Sequence, residues 1–354
     1  MARQAARGFS GLVAALVIVA GLAAGPAAAC AGLVGRGGTV RLVRTATLAG
    51  YVDGQEHYLT SFSFAGGGAK FGSIVPLPGV PTDVRKGGGW TFQRLARETQ
   101  PVLFKADFGE ARAAAAPQSV EVIQRVRIDA LDLTVVRGGG AAVGAWARKQ
   151  GFDLSVDAPE VLDFYAARSP VFMAASFDAG AAAERGQQLG DGTPIHLTIP
   201  TANPWVPLRI LGLGHKPSEP IDADVYLLTE EEPALLPKPV AAGHTGVALE
   251  QSRAASTALL GDLRGDKGMS WIPASDMHLT YLHVNTTAGK LTHDLAIDAS
   301  GLGSPSPVAA GLVAPEDSAA SPAPRAGWWP WLAASLAVVA GLAVTVRARP
   351  SARS

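Results

Sequence analysis

A charge-free apolar run near each end of this chain confines its foldable part to the residues between them. The first run follows Met1-Ala2-Arg3-Gln4-Ala5-Ala6-Arg7, a basic start with no acid, and extends from Gly11 to Ala24. It is shorter than the roughly 20 residues that a hydrocarbon core requires. Gly25-Pro26 interrupts it, and Ala27-Ala28-Ala29 supplies the small residues a signal peptidase needs, so residues 1–29 read as a secretory signal. The second run, residues 327–346, opens on Trp328, Trp329 and Trp331 and continues without charge to Val346. That length suits one transmembrane helix, and the tryptophans suit the headgroup level. Arg347, Arg349 and Arg353 follow, and basic residues are retained on the cytoplasmic side. The expectation is therefore a single-pass cell-membrane protein. Its domain, residues 30–302, lies outside; a disordered Pro/Ser/Ala-rich stalk covers 303–326; and a basic cytoplasmic tail covers 347–354.

Cys30 is the only cysteine, which excludes an internal disulfide and a cysteine-rich zinc site. It directly follows the expected cleavage site. It is a candidate for lipidation, although Ala-Ala-Ala is not the usual Leu- or Val-led approach to a lipidated cysteine. A free thiol, or one awaiting an intermolecular partner, is the alternative.

The formal net charge of zero hides an asymmetry. Six of the 30 basic residues lie in the signal, stalk and tail, against two of the 30 acidic ones, so the domain keeps 24 basic and 28 acidic residues. A mildly acidic domain without a basic stripe is a poor nucleic-acid binder. A domain of this length can be one unit or two, with 179–192 as the candidate boundary, and it needs no disulfide staples.

Thr39–Val52 is rich in β-branched residues, Asp53-Gly54 is a favoured hairpin turn, and His57–Phe64 alternates, with Tyr58, Thr60, Phe62 and Phe64 on one face. Gly72–Leu77 reads as a short edge strand entering a rigid loop at 76–81, because prolines deny donors to a ladder. Residues 90–98 form a short helix, and 106–118 is an irregular, alanine-rich stretch. Strands follow at 120–126 and 131–136, joined near Asp129. The helix over 142–150 ends on Gly151, and a capping box at Asp157–Glu160 opens another that runs to Arg168. Further strands are expected over 171–177, 194–199, 206–211 and 223–228, and helical spacing over 249–263. A final hairpin is expected from 277–284 and 290–297 around Asn285–Gly289. The fold class is thus α+β, a mostly antiparallel β ectodomain with several short helices, plus the C-terminal transmembrane helix.

Four stretches carry a family likeness: TLAGYVDGQEHYLTSFSFAGGGAKFGSIVPLPGVP (47–81), GAWARKQGF (144–152), IHLTIPTANPWVPLRI (195–210) and YLHVNTTAGKLTHDLAI (281–297). In them the chain resembles the bacterial exported family known as domain of unknown function 2330. The resemblance implies a signal-bearing surface protein, often with a C-terminal anchor. Many members have cysteines near the mature start, whereas this chain has only Cys30. The family has no agreed activity, so no catalytic residues carry over.

Chemistry is sparse. The domain holds no Gly-x-Ser-x-Gly elbow, no His-Glu-x-x-His and no phosphate loop, since Lys70 precedes the final glycine of GGGAKFGS. His278, His283, His293 and Asp294 cluster in sequence as weak metal candidates. His278 and His283, an odd number apart, fall on opposite faces of a regular strand, which leaves them as ordinary partnered histidines. No metal or other cofactor is expected. The feature favoured for recognition is the rigid loop with Pro76 and Pro78, with Trp90 beyond it. The expected function is a membrane-anchored binding or scaffold module facing an envelope protein or cell-wall partner. An extracytoplasmic hydrolase acting on wall material and an accessory subunit of a membrane complex are the alternatives.

Overall fold

Asp53 and Gly54 both adopt left-handed backbone, with φ of 51° and 73°. Two successive positive φ values are what a two-residue hairpin turn of matching twist requires. They set Val52 opposite Gln55 and so fix the register of a long antiparallel pair.

The computed structural model describes residues 32–35, 41–65, 68–99, 111–112, 120–178, 193–301 and 303–315. The expected signal, Cys30, the segment 179–192, the expected span at 327–346 and the expected tail lie outside them, as does most of 106–118. Among the described residues no helix is long and apolar enough to cross a membrane.

The strands are β1 (Gly32–Gly35), β2 (Arg41–Val52), β3 (Gln55–Ala65), β4 (Gly68–Leu77), β5 (Asp83–Lys86), β6 (Ala111–Arg112), β7 (Glu121–Ile128), β8 (Leu131–Arg137) and β9 (Val171–Asp178). They continue with β10 (Ile195–Pro200), β11 (Trp205–Val206), β12 (Pro220–Thr229), β13 (Ala234–Leu236), β14 (Val240–Ala241), β15 (Gly246–Ala254), β16 (His278–Thr287) and β17 (Leu295–Asp298). Helices are α1 (Thr91–Thr99), α2 (Gly140–Lys149), α3 (Ala158–Ala166) and α4 (Thr257–Gly265), with a last helical turn at Pro307–Ala310.

An eight-stranded sheet has the order β14-β15-β16-β12-β2-β3-β10-β5. A six-stranded sheet runs β1-β4-β9-β8-β7 with β6 beside β4, and β11-β17-β13 form a small third sheet. Pairing is antiparallel except for β2 with β12, β14 with β15 and β4 with β6. The fold is therefore mixed, mostly antiparallel β with short helices.

Alternation along the strands explains the layers. Leu133, Val135, Met173 and Ala175 of the six-stranded sheet meet Leu197, Ile199, Val225, Leu227 and Leu282 of the eight-stranded one in the central core. The opposite parity faces helices. Ile74, Val136 and Phe172 pack on Val143, Trp146, Leu162 and Tyr165 of α2 and α3. Leu48, Leu59, Tyr226 and Leu279 pack on Leu95 of α1 and Leu259, Leu260 and Leu263 of α4. The central core draws residues from both sides of 179–192, since Met173 and Leu197 share it.

Several expectations are corrected. Residues 206–211 do not form a strand: after β11 the chain turns through a 3₁₀ segment at Arg209–Gly212, because the Leu208 and Arg209 amides donate to the Asp294 carboxylate at 2.8 and 2.9 Å. Residues 249–263 are not one helix. The first part is β15, paired along β16 with a bulge after Leu249, and α4 starts only where the Ser256 hydroxyl caps the Leu259 amide at 3.1 Å. The closing hairpin does not form, since β16 lies between β12 and β15 while β17 lies between β11 and β13. The strand at Gly72–Leu77 is neither short nor at the edge. β4 has ten residues between β1 and β9. Asp157 makes no capping box; its carboxylate accepts from the Gly214 amide at 3.2 Å instead. The start of the supposed stalk is ordered: the Asp294 amide donates to Ala310 at 3.0 Å, and Ala310 is buried.

Candidate functional site

Four strands at one side of the eight-stranded sheet place a row of polar side chains on the helix-covered face. Leu48 and Leu59 pair on that face, and Gly50 and His57 pair two residues further along. His196 on β10 is opposite Leu59 on one side and Arg85 of β5 on the other. Register thus brings Arg85, His196, His57 and Gly50 together from segments far apart in the chain.

The Arg85 Nε–H donates to His196 Nδ1 at 3.2 Å, and His196 Nε2 lies 3.1 Å from His57 Nδ1. Arginine is always a donor, so His196 Nδ1 must accept. Burial, then His57 and Arg85, lowers the pKa of His196 to about 3, which leaves the ring neutral with its proton on Nε2. That proton is donated to His57 Nδ1. Burial and Arg85, against the pull of Asp53, lower the pKa of His57 to about 4, so His57 carries its proton on Nε2. The tautomers of both rings are inferred from the one partner whose role is fixed.

Trp271 closes the row. Its ring lies parallel to His57, with centroids 4.1 Å apart and 2° between planes. The ring fits only because residue 50 is glycine: a Cβ there would come 2.2 Å from Trp271 Cη2. At the rim, Arg85 Nη1 pairs with Asp83 Oδ2 at 3.0 Å, and both side chains are over two-fifths exposed.

The segment carrying Trp271 is anchored by Asp266, which is buried. Its carboxylate accepts from the Gly89 amide (3.1 Å), the Trp90 amide (2.9 Å), the Thr91 hydroxyl (2.9 Å) and the Lys267 amide (2.9 Å). Asp266 therefore fixes the backbone leading into α1 and the hydroxyl of its first residue. Gly268, at φ +88°, lets this segment lie against the Lys86 carbonyl, which a Cβ would approach to 2.9 Å.

The residues singled out in the sequence sit elsewhere. Pro76 is buried within β4, Pro78 is half-buried and Trp90 is exposed at 39%. The loop and Trp90 flank opposite ends of β5, so they do not form one edge, and Arg85 lies between them. The four metal candidates are not brought together. His278 Nε2 is 2.8 Å from the Ser252 hydroxyl, His283 Nε2 is 3.2 Å from Asp222, and His293 Nδ1 is 2.9 Å from the Thr292 hydroxyl. Asp294 is fully buried against Arg168 and Tyr165. Among the described residues no three His, Cys, Asp or Glu side chains could hold a metal. Ser252 donates its only proton to Glu232 at 2.7 Å, so His278 must donate to the serine and is not its base.

His57, His196, Arg85 and Trp271 carried no motif. Their one sequence signal is parity: histidines at alternating positions with apolar strand residues, whose meeting depends on a register between residues 139 apart.

A family profile described as an uncharacterized protein conserved in bacteria (DUF2330) matches residues 24–297. No curated protein and no solved structure matches.

Proposed function

This chain belongs to the DUF2330 family of bacterial proteins, and from that premise we propose that it is a membrane-anchored binding module of the bacterial envelope. The leader at 1–29 and the apolar, arginine-flanked segment at 327–346 support an exported domain held by one C-terminal helix. The observation that carries the binding role is the hydrogen-bonded row from Arg85 through His196 to His57. Its donors and acceptors are fixed before any partner arrives, and a preorganised surface loses less entropy on binding. The row ends at the exposed Arg85–Asp83 pair, where a partner has access.

The test is made on the full-length chain in a bacterial cell envelope. External protease should digest the domain in intact cells while an epitope on the tail after Ser354 stays protected. A photo-crosslinker at position 85 should label an envelope component that the same group at the fully exposed Val156 does not. Protection of the domain in intact cells would end the topological reading. Equal labelling from both positions would end the binding reading.

A further inference from the structure

Both ends of the described domain belong to one half of the molecule. At the N-terminal end, β1 begins at Gly32 and is an outer strand of the six-stranded sheet, beside β4. The C-terminal end lies among the helices that cover the same sheet. Ala309 and Ala310 are buried in one cluster with Leu162 and Tyr165 of α3 and Val143 and Trp146 of α2.

The C-terminal attachment is built from several contacts. The Ser306 hydroxyl caps the last helical turn by accepting from the Ala309 amide at 3.2 Å. Arg168, just after α3, donates to the Ala309 carbonyl, and the Asp294 amide donates to the Ala310 carbonyl at 3.0 Å. Gly311 then reverses the chain at φ 73°, so close to α3 that a Cβ would lie 2.3 Å from Phe164 Cζ. The Leu312 amide returns to the Pro307 carbonyl at 2.9 Å, and the Leu312 and Val313 side chains are exposed. The chain therefore departs from the domain beside α3.

This docking shortens the tether. Of the sequence between the domain and the apolar segment at 327–346, only residues 313–326 lie beyond these contacts. Fourteen residues of flexible coil reach roughly 19–22 Å. The row of Arg85, His196 and His57 belongs to the opposite half. Gly50, His57 and His196 share the face of the eight-stranded sheet whose Leu48 and Leu59 pack on α1 and α4. Two sheets with a helical layer on each side make a body roughly 35–40 Å thick. Turning the row onto the lipid would take the tether across that whole thickness, about twice its coil reach.

We infer that in the anchored protein the α2–α3 layer is the surface turned toward the lipid, and that the Arg85–His196–His57 row is presented on the side away from it. The inference rests on the anchored reading above and adds which face meets the membrane. The short tether imposes this orientation. No single-sign patch is needed, since α2 ends on Arg148 and Lys149 while Glu160 and Asp163 of α3 are exposed.

The test uses the full-length chain in phospholipid nanodiscs, with Cys30→Ser so that one introduced thiol takes a donor dye. Ala167→Cys, after α3, and Ala258→Cys, on α4, both replace exposed alanines. The nanodisc lipid carries an acceptor dye on its headgroup. Energy transfer from position 167 should exceed that from position 258 by about twofold or more, because roughly 30 Å separates the two helical layers. A flexible Gly/Ser insertion of about 40 residues after Glu316 raises the coil reach to about 40 Å and should bring the two positions level.

Equal transfer from both positions without the insertion overturns the inference, as does greater transfer from position 258. A difference that survives the insertion assigns the orientation to affinity for lipid and overturns the tether argument. In each of these cases the chain is still found in the nanodisc, so the anchored reading stands. A chain that does not enter the nanodisc overturns the anchored reading and this inference with it.

Discussion

The Arg168 guanidinium lies 2.5 Å from the Asp294 carboxylate, with side-chain exposures of 4% and 0%. Asp294 also accepts from the Tyr165 hydroxyl at 2.7 Å and from two amides at the start of the 3₁₀ turn. Burial raises its pKa, against the pull of Arg168 and these donors. Arg168 stacks over Phe164, Tyr165 and Trp205 and donates to the Ala309 carbonyl. One ion pair therefore joins α3, the small sheet and the last helical turn. Removing one partner leaves a buried charge, so Asp294→Ala should cost about 3–5 kcal/mol. Replacing both by apolar residues should cost clearly less. Urea unfolding of the two variants checks this, and a single-variant loss under about 1 kcal/mol would assign the pair to an ordinary surface contact.

Asp266 performs a similar service at the other outer face. It takes three donors from Gly89, Trp90 and Thr91 across 175–177 residues of chain. Asp266→Ala leaves the Gly89 and Trp90 amides and the Thr91 hydroxyl without their acceptor and should destabilise the protein by about 1–3 kcal/mol. Because the same carboxylate places Trp90 beside the Trp271 segment, proteolysis near 86–90 should also accelerate. An unchanged cleavage rate there would show that the glycine run at 87–89 holds its shape by itself.

The parts of this fold that were legible are those where one or two residues dictate a local geometry. Asp53-Gly54 needs positive φ, as does Asp129 between β7 and β8 and Gly151 after α2, and all three sit where expected. Parity was legible as well, so β2, β3, β8, β9 and β12 have nearly their expected bounds. What could not be read is non-local pairing. The parallel match of Asp224 with Ala46 and the insertion of β10 between β3 and β5 depend on packing, not on local sequence. The misread helix at 249–263 shows the same limit: Leu249, Leu259, Leu260 and Leu263 fit a helical stripe, yet the first belongs to a strand with a bulge. Asp294 looked like a metal ligand because its buried partners, Arg168 and Tyr165, are more than 120 residues away.

Glu56 gives the molecule a pH dependence. It faces the central core from β3, opposite Tyr51 and Ile199, with no exposed surface and no charged partner for its carboxylate. Burial raises its pKa to about 8, opposed only in part by the Trp205 backbone. The native protein therefore holds a proton that the unfolded chain releases near 4.5, the ordinary carboxyl value. This contribution to stability is fully present below that value and is lost as pH rises through about 8. The slope is of the order of 1.4 kcal/mol per pH unit at most. Glu56→Gln should flatten the fall in urea midpoint between pH 5 and 8.5 and should be the more stable form at the upper end. Parallel profiles for the two proteins would mean that Glu56 is ionised in the folded state.

Gly50 is the residue on which the candidate site most directly depends, because it makes room for Trp271. In Gly50→Ala the new methyl would lie 2.2 and 2.6 Å from two ring carbons of Trp271, so the indole must move. Overpacking of this kind costs about 1–3 kcal/mol. Displacing the indole from its 4.1 Å stack also exposes His57, which removes part of the burial that lowers its pKa. The His57 pKa should therefore rise from about 4 toward the ordinary imidazole value of 6.5, while that of the fully buried His196 should move less. Titration of both imidazoles by NMR reads this directly. A rise of similar size in both rings would point to general loosening of the sheet. An unchanged His57 with Trp271 displaced would assign its low pKa to Arg85 and the strand environment alone.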